Sequence, residues 1–170
     1  MIILIVKGRC IGVEITLKQR KLFEKVYNIA LEKFKIHMLH MNGMPYELTA
    51  CEDGKFYNAE KGCDLNARYN WTTSFVTGLA PLYYKTTGNK DYLTWAKQFE
   101  EFYRSKVFDT PLNSIHDMGF LYVLYSIAMY NLTGDNAHKT DALKAAYVLA
   151  KRFSIKGKYI DSLNMMYDES

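Results

Sequence analysis

The residues best suited to chemistry are a histidine and an aspartate that stand side by side. His116 and Asp117 lie in the segment 109–120 (DTPLNSIHDMGF), at the start of a strongly apolar stretch. A carboxylate at the mouth of a buried helix is partly desolvated, which favours its protonated form and suits it to proton transfer. A helix N-terminus favours the ionised form, so the net direction stays open. Asp117 is a candidate acid or base, and the alternative is a simple helix N-cap.

A second group of polar and aromatic residues precedes an earlier apolar stretch. Arg68, Tyr69 and Trp71 lie in the segment 66–75 (NARYNWTTSF). Aromatic rings form platforms for sugar faces, and polar groups bind hydroxyls or an anion. Together with His116 and Asp117 they have the chemistry of a carbohydrate site, provided that both segments lie at the same end of the fold. Core packing is the alternative for Tyr69 and Trp71.

Helices must position these residues, and apolar periodicity predicts five of them. Two are apolar nearly all round and should be buried, whereas three are amphipathic. A long loop with Pro45, Gly54 and Gly62 separates the first helix from the rest. The predicted ranges are 16–41 (amphipathic), 72–87 (buried), 90–107 (amphipathic), 120–130 (buried) and 142–153 (amphipathic).

The turn between a buried and an amphipathic helix occurs twice. Thr87-Gly88-Asn89 is matched by Thr133-Gly134-Asp135, 46 residues later. In each copy glycine supplies the left-handed residue that ends one helix, and Asn or Asp can cap the next. The repeat predicts helical hairpins with an inner and an outer layer. A plain helical bundle with a coincidental turn is the alternative.

The bulk composition limits the classes of function. The net charge of +4 is spread along 170 residues without a basic block, which favours an anionic ligand and gives no nucleic-acid signature. Cys10, Cys51 and Cys63 show no pairing or zinc spacing, so a reducing compartment fits best. No apolar stretch approaches the roughly 20 residues of a membrane span. Residues 1–15 should be an edge strand or an unstructured extension.

Four motifs together resemble glycoside hydrolase family 88, the unsaturated glucuronyl hydrolases. They are NWTTSFxxG at 70–78, TGN at 87–89, HDMGF at 116–120 and LAKRF at 149–153, and the similarity covers about 16–160. The resemblance implies an all-α fold, an (α/α)6 barrel (toroid) of helical hairpins, of which residues 16–170 would be only the first part. It also implies a cytoplasmic hydrolase that needs neither a cofactor nor a metal.

The resemblance further implies a substrate and a reaction. The substrate is an anionic oligosaccharide with a 4,5-unsaturated uronic acid at its non-reducing end. The family protonates the C4=C5 double bond and adds water at C5, giving a hemiketal that opens and releases the next sugar. Asp117 matches the first essential aspartate, His116 its neighbour, and Trp71 an aromatic residue of the sugar subsite. We expect Arg68 and Tyr69 to bind substrate as well.

The family's second aspartate has no clear counterpart. The segment 159–164 (YIDSLN) is only superficially similar to the expected motif, so Asp161 is not expected to be catalytic. We therefore expect a truncated barrel that is inactive and self-associates on its own, although the sequence does not fix its oligomeric state. Two alternatives remain, a non-catalytic helical-repeat module that binds a partner or sugar, and an unsaturated rhamnogalacturonyl hydrolase.

Overall fold

A computed structural model describes residues 2–6, 9–13, 15–41 and 72–162 of the chain. The chain divides into two compact units, Met1–His40 and Met41–Ser170, and each is described by itself. The predicted loop over 44–68 lies outside the described residues. The predicted division into an extension, 1–15, and a barrel domain, 16–170, stays a prediction.

The first unit contains a β-hairpin and one long helix. Strands β1 (Ile2–Val6) and β2 (Arg9–Val13) pair antiparallel, so the amino-terminal segment is a hairpin. Helix α1 (Leu17–His40) follows, close to the predicted range. Its start is a capping box, because the Gln19 amide donates to Thr16 Oγ1 (3.2 Å) and the Thr16 amide donates to Gln19 Oε1 (2.8 Å).

The described part of the second unit is helical apart from one short hairpin. Its described elements are α2 (Thr73–Thr77), α3 (Leu79–Thr87), α4 (Asp91–Lys97), α5 (Glu100–Phe108), a 3₁₀ turn (Pro111–Asn113), α6 (Met118–Tyr122), a π-helical turn (Val123–Ile127), α7 (Ala128–Thr133), α8 (Asn136–Ala150), β3 (Phe153–Ser154) and β4 (Tyr159–Ile160). We call α2–α3 and α6–α7 the inner helices, and α4–α5 and α8 the outer helices.

The predicted helices are found with corrected bounds. The inner helix predicted over 72–87 is divided at Gly78, and the outer helix predicted over 90–107 is divided at 98–99. The last helix begins at Asn136, six residues before the predicted 142, because the Asp135 carboxylate accepts from the Ala137 amide (2.9 Å) and caps it there. It ends at Ala150, and Phe153 belongs to β3 instead.

The two inner helices run parallel and side by side. Ser74 Oγ donates to the Phe120 carbonyl (3.1 Å), and a Cβ at Gly78 would lie 2.7 Å from the Leu124 carbonyl. Each of these pairs has the 46-residue spacing of the sequence repeat. The starts of both inner helices therefore lie at the same end of the unit, as the repeat predicts.

The two copies of the repeated turn make the same hydrogen bonds. Gly88 and Gly134 end the inner helices in the left-handed region, with φ of 72° and 73°. The preceding threonines, Thr87 and Thr133, each accept from the amide two residues on (3.2 Å in both copies). Asn89 then accepts from the Asp91 amide at 2.9 Å, the same length as the Asp135 bond. The repeat therefore reflects a structural unit and is not coincidental.

A buried core of tyrosines joins the inner and outer layers. The rings of Tyr103 and Tyr125 stack with centroids 4.0 Å apart. Tyr125 donates to the Ala96 carbonyl, Tyr122 donates to the Tyr103 carbonyl, and each bond is 2.7 Å long. Burial raises the pKa of both hydroxyls well above the usual range, so Tyr122 and Tyr125 act as neutral donors.

Candidate active site

The loop that carries the histidine and aspartate is tightly folded. After α5 it forms the 3₁₀ turn, where Ser114 Oγ donates to the Pro111 carbonyl (2.8 Å). The chain then turns at 116–117 into α6, whose first bond runs from the Phe120 amide to the Asp117 carbonyl (2.9 Å). Pro111 and the short turn thus bring the His116–Asp117 pair to the N-terminus of inner helix α6.

Asp117 begins α6 but does not cap it with its side chain. The carboxylate accepts no capping hydrogen bond from the first turn, so the N-cap alternative is wrong for the side chain. Instead Asp117 Oδ1 lies 3.2 Å from His116 Nε2. The Asp117 side chain is 14% exposed and the histidine side chain 45% exposed. A shielded carboxylate beside an accessible imidazole is an arrangement that can give or take a proton at the surface of the site.

Two sets of contacts around the His116–Asp117 pair were not predicted from the sequence. The Ser162 carbonyl lies 3.3 Å from His116 Nδ1, on the other side of the ring from Asp117. Arg152, which is 4% exposed, donates to the Ser114 carbonyl and to the Asp161 carbonyl (3.1 Å). The only sequence signal was the presence of Arg152 in the LAKRF motif, which the resemblance singles out without giving this arginine a role.

The structure describes only some of the predicted site residues. His116 and Asp117 are brought together, whereas Arg68, Tyr69 and Trp71 lie outside the described residues. The first described residue after them, Thr72, precedes α2 at the same end of the unit as Asp117, as judged from the parallel inner helices. Asp161 contacts Arg152 through its backbone, since its amide donates to the Arg152 carbonyl (2.8 Å).

The described part of the chain offers no metal site and no membrane span. Within residues 15–41 and 72–162, no three His, Cys, Asp or Glu side chains are grouped so that they could hold a metal ion. In the same ranges no helix is long and apolar enough to cross a membrane.

The fold places the chain in a class of proteins, since it is a layered array of helical hairpins that forms one part of an (α/α)6 barrel. No protein-family model matches the sequence. A curated relative, the unsaturated glucuronyl hydrolase of Bacillus sp. (strain GL1), is 33% identical over 89 residues, which is 52% of this chain and 24% of that protein. The predicted resemblance to unsaturated glucuronyl hydrolases is thereby confirmed.

Solved structures of the same enzymes show the same fold. An unsaturated glucuronyl hydrolase from Streptococcus agalactiae superposes with a TM-score of 0.68 at 23% identity over 86% of this chain and 35% of that one. An Asp-to-Asn variant of UGL, in a structure with dGlcA-Glc-Rha-Glc, superposes with a TM-score of 0.67 at 23% identity over 80% of this chain and 34% of that one. The chain spans about a quarter of the curated relative and about a third of these structures.

Proposed function

We propose that the chain carries part of the active site of an unsaturated uronyl hydrolase, a glycoside hydrolase acting on the oligosaccharides that polysaccharide lyases leave. The His116–Asp117 pair carries the proposal. Asp117 directly precedes inner helix α6, and its carboxylate lies 3.2 Å from the imidazole and is not used as a cap. The names of the relatives, and an unsaturated oligosaccharide held by one of them, support the class of substrate.

The proposed reaction is hydration of the C4=C5 double bond. A proton is added at C4 and water adds at C5, so that a hemiketal forms, opens and releases the next sugar. Asp117 would hold or accept the proton, with His116 as its hydrogen-bonded partner. Within the described ranges, His116 is the one charged or chargeable side chain paired with Asp117. We expect a second carboxylate from outside these ranges, and we expect that the chain alone does not turn over substrate.

Three residues outside the described ranges complete the proposed site. Trp71 and Tyr69 would stack against sugar rings, and Arg68 would pair with the carboxylate of the uronic acid. The support is that they shortly precede Thr72 in the sequence, and that Thr72 lies at the same end of the unit as Asp117. A cytoplasmic location is part of the proposal and is supported by three cysteines without a pairing pattern.

A chimera tests the proposed function. Residues 16–160 would replace the matching segment of the Bacillus sp. (strain GL1) hydrolase, which supplies the rest of a barrel. Consumption of the unsaturated sugar is followed as loss of ultraviolet absorbance. We expect turnover of an unsaturated chondroitin or hyaluronan disaccharide by a folded chimera. Preference for an unsaturated rhamnogalacturonan disaccharide would favour the rhamnogalacturonyl alternative, and a folded chimera inactive on all three would contradict the proposal.

A second candidate is a non-catalytic module that binds sugar or a partner through its inner helices. The observation that favours it is the exposure of Phe75 (45%), Phe120 (50%) and Val123 (53%) on those helices. Titration calorimetry of residues 1–170 with the same disaccharides separates the two functions. Binding by the chain together with an inactive chimera would favour the module.

A further inference from the structure

A buried arginine joins the candidate site to the hairpin that follows the last helix. Arg152 lies between α8 and β3 and donates to two carbonyls, those of Ser114 and Asp161. The Asp161 amide returns a bond to the Arg152 carbonyl (2.8 Å), which closes the base of the β3–β4 hairpin. A planar guanidinium can bind two acceptors in a fixed geometry, which a lysine ammonium does not reproduce. Arg152 thus fixes two segments of the chain relative to each other.

One of these two segments carries His116, and the other contacts its ring. Ser114 lies two residues before His116, so Arg152 anchors the loop that carries the ring. Asp161 precedes Ser162, whose carbonyl lies 3.3 Å from His116 Nδ1. A carbonyl can only accept, so this bond forms when Nδ1 carries a proton.

The two neighbours of the ring compete for the proton of the neutral imidazole. The Ser162 carbonyl favours the proton on Nδ1, whereas an ionised Asp117, 3.2 Å from Nε2, favours it on Nε2. When Nδ1 carries the proton, Nε2 presents a lone pair to Asp117, and the carboxyl group can then hold a proton of its own. The position of Ser162 therefore influences which member of the pair is the proton donor.

We propose that Arg152 is a positioning residue that holds the Ser162 carbonyl against His116 Nδ1 and so sets the position of the ring proton. The catalytic meaning of this role rests on the proposed function, because only there does protonation of Asp117 matter. The tautomer itself can be measured without substrate. A failure of the hydrolase assay therefore leaves this inference standing, and the reverse also holds.

Nitrogen-15 shifts of the histidine rings in residues 1–170, recorded where the His116 ring is neutral, test the proposal. We expect the wild-type ring to populate both tautomers. Arg152→Lys should shift the His116 signals toward the pure Nε2–H form, because the carbonyl is no longer held. Ser162→Ala keeps the carbonyl, and Arg104→Lys alters an arginine that pairs with Asp141 elsewhere. Both controls should keep the wild-type ratio.

Two results would overturn the proposal. One is a wild-type His116 ring that carries its proton on Nε2 alone, which decides the matter even if the variant does not fold. The other is an Arg152→Lys protein with an unchanged circular dichroism spectrum and an unchanged tautomer ratio. Arg152→Gln, which keeps one donating amide, replaces Arg152→Lys if the lysine variant fails to fold.

Discussion

At the scale of single residues, two aspartates begin helices and use their side chains differently. The Asp135 carboxylate caps α8 at 2.9 Å, whereas the Asp117 carboxylate makes no capping bond and pairs with half-exposed His116. Asp135→Ala should lower the free energy of unfolding by about 1 kcal/mol. Asp117→Ala should cost less, because a pair with an exposed partner contributes little. Urea denaturation compares the two, and a larger loss for Asp117→Ala would restore its structural role.

A buried aspartate away from the site should make stability depend on pH. Burial raises the pKa of Asp141 above its ordinary 3.8, although Arg104 and His138 lower it. The folded state then binds the proton more tightly, so Asp141 contributes stability that is lost as the pH rises from about 4. Asp141→Asn cannot ionise. Its unfolding free energy, relative to wild type, should increase between about pH 4 and about pH 7.

The same urea titrations at several pH values provide the control for this prediction. Asp109→Asn makes the same substitution at an exposed aspartate at the end of α5 and is the reference variant. A difference for Asp141→Asn that stays constant across the range would show that burial of this carboxylate does not govern the pH dependence.

Adjacency in the sequence was enough to predict that the side chains of His116 and Asp117 lie close together. The contacts of Arg152 with Ser114 and of Ser162 with His116 could not be predicted, because they join residues 38 and 46 positions apart. They depend on a short hairpin that has no helical period. Local spacing thus indicates which side chains are candidates for the site, whereas tertiary contacts decide how they are held.

At the scale of elements, the two inner helices approach each other closely at a glycine. A Cβ at Gly78 would lie 2.6 Å from the Ser74 carbonyl and 2.7 Å from the Leu124 carbonyl, and backbone atoms cannot move aside as a flexible side chain can. Gly78→Ala should therefore separate the helices and lower the free energy of unfolding by about 1–3 kcal/mol, as overpacking does.

Gly119 provides a matched control in α6. A Cβ there would meet nothing within 4 Å, so Gly119→Ala should be neutral or stabilise by up to about 1 kcal/mol. Thermal melts of both variants make the comparison. Equal effects of the two substitutions would contradict the close packing at Gly78.

The order of the helices and the repeat were predictable, because apolar periodicity and the Thr-Gly turns carry that information. The breaks within the predicted helices were less predictable. The break at Gly78 coincides with the close approach to Leu124 in the other inner helix, and a local window of sequence does not show that approach. The early start of α8 follows from the Asp135 cap, a signal that the sequence does contain and that periodicity alone overlooks.

At the scale of the whole molecule, the inner helices present an apolar surface. Phe120, Val123 and Ile127 are 50%, 53% and 39% exposed. Burying such side chains stabilises a complex by roughly 25 cal/mol per Å² of apolar surface removed from water. We expect residues 1–170 to self-associate, with a mass by light scattering above that of one chain. Val123→Glu should reduce association more than Leu143→Glu on outer helix α8. A monodisperse wild-type monomer would contradict this prediction.

The central claim is that Asp117 is a catalytic carboxylate of an unsaturated uronyl hydrolase site. The most direct measurement is the loss of ultraviolet absorbance of an unsaturated hyaluronan disaccharide, with the chimera and its Asp117→Asn variant compared at equal concentration. We predict turnover by the chimera and a loss of about 10²–10⁴-fold in the variant, since general acid–base catalysis contributes that much. An unchanged circular dichroism spectrum would confirm that the variant is folded. Near-equal turnover by the two proteins would contradict the claim.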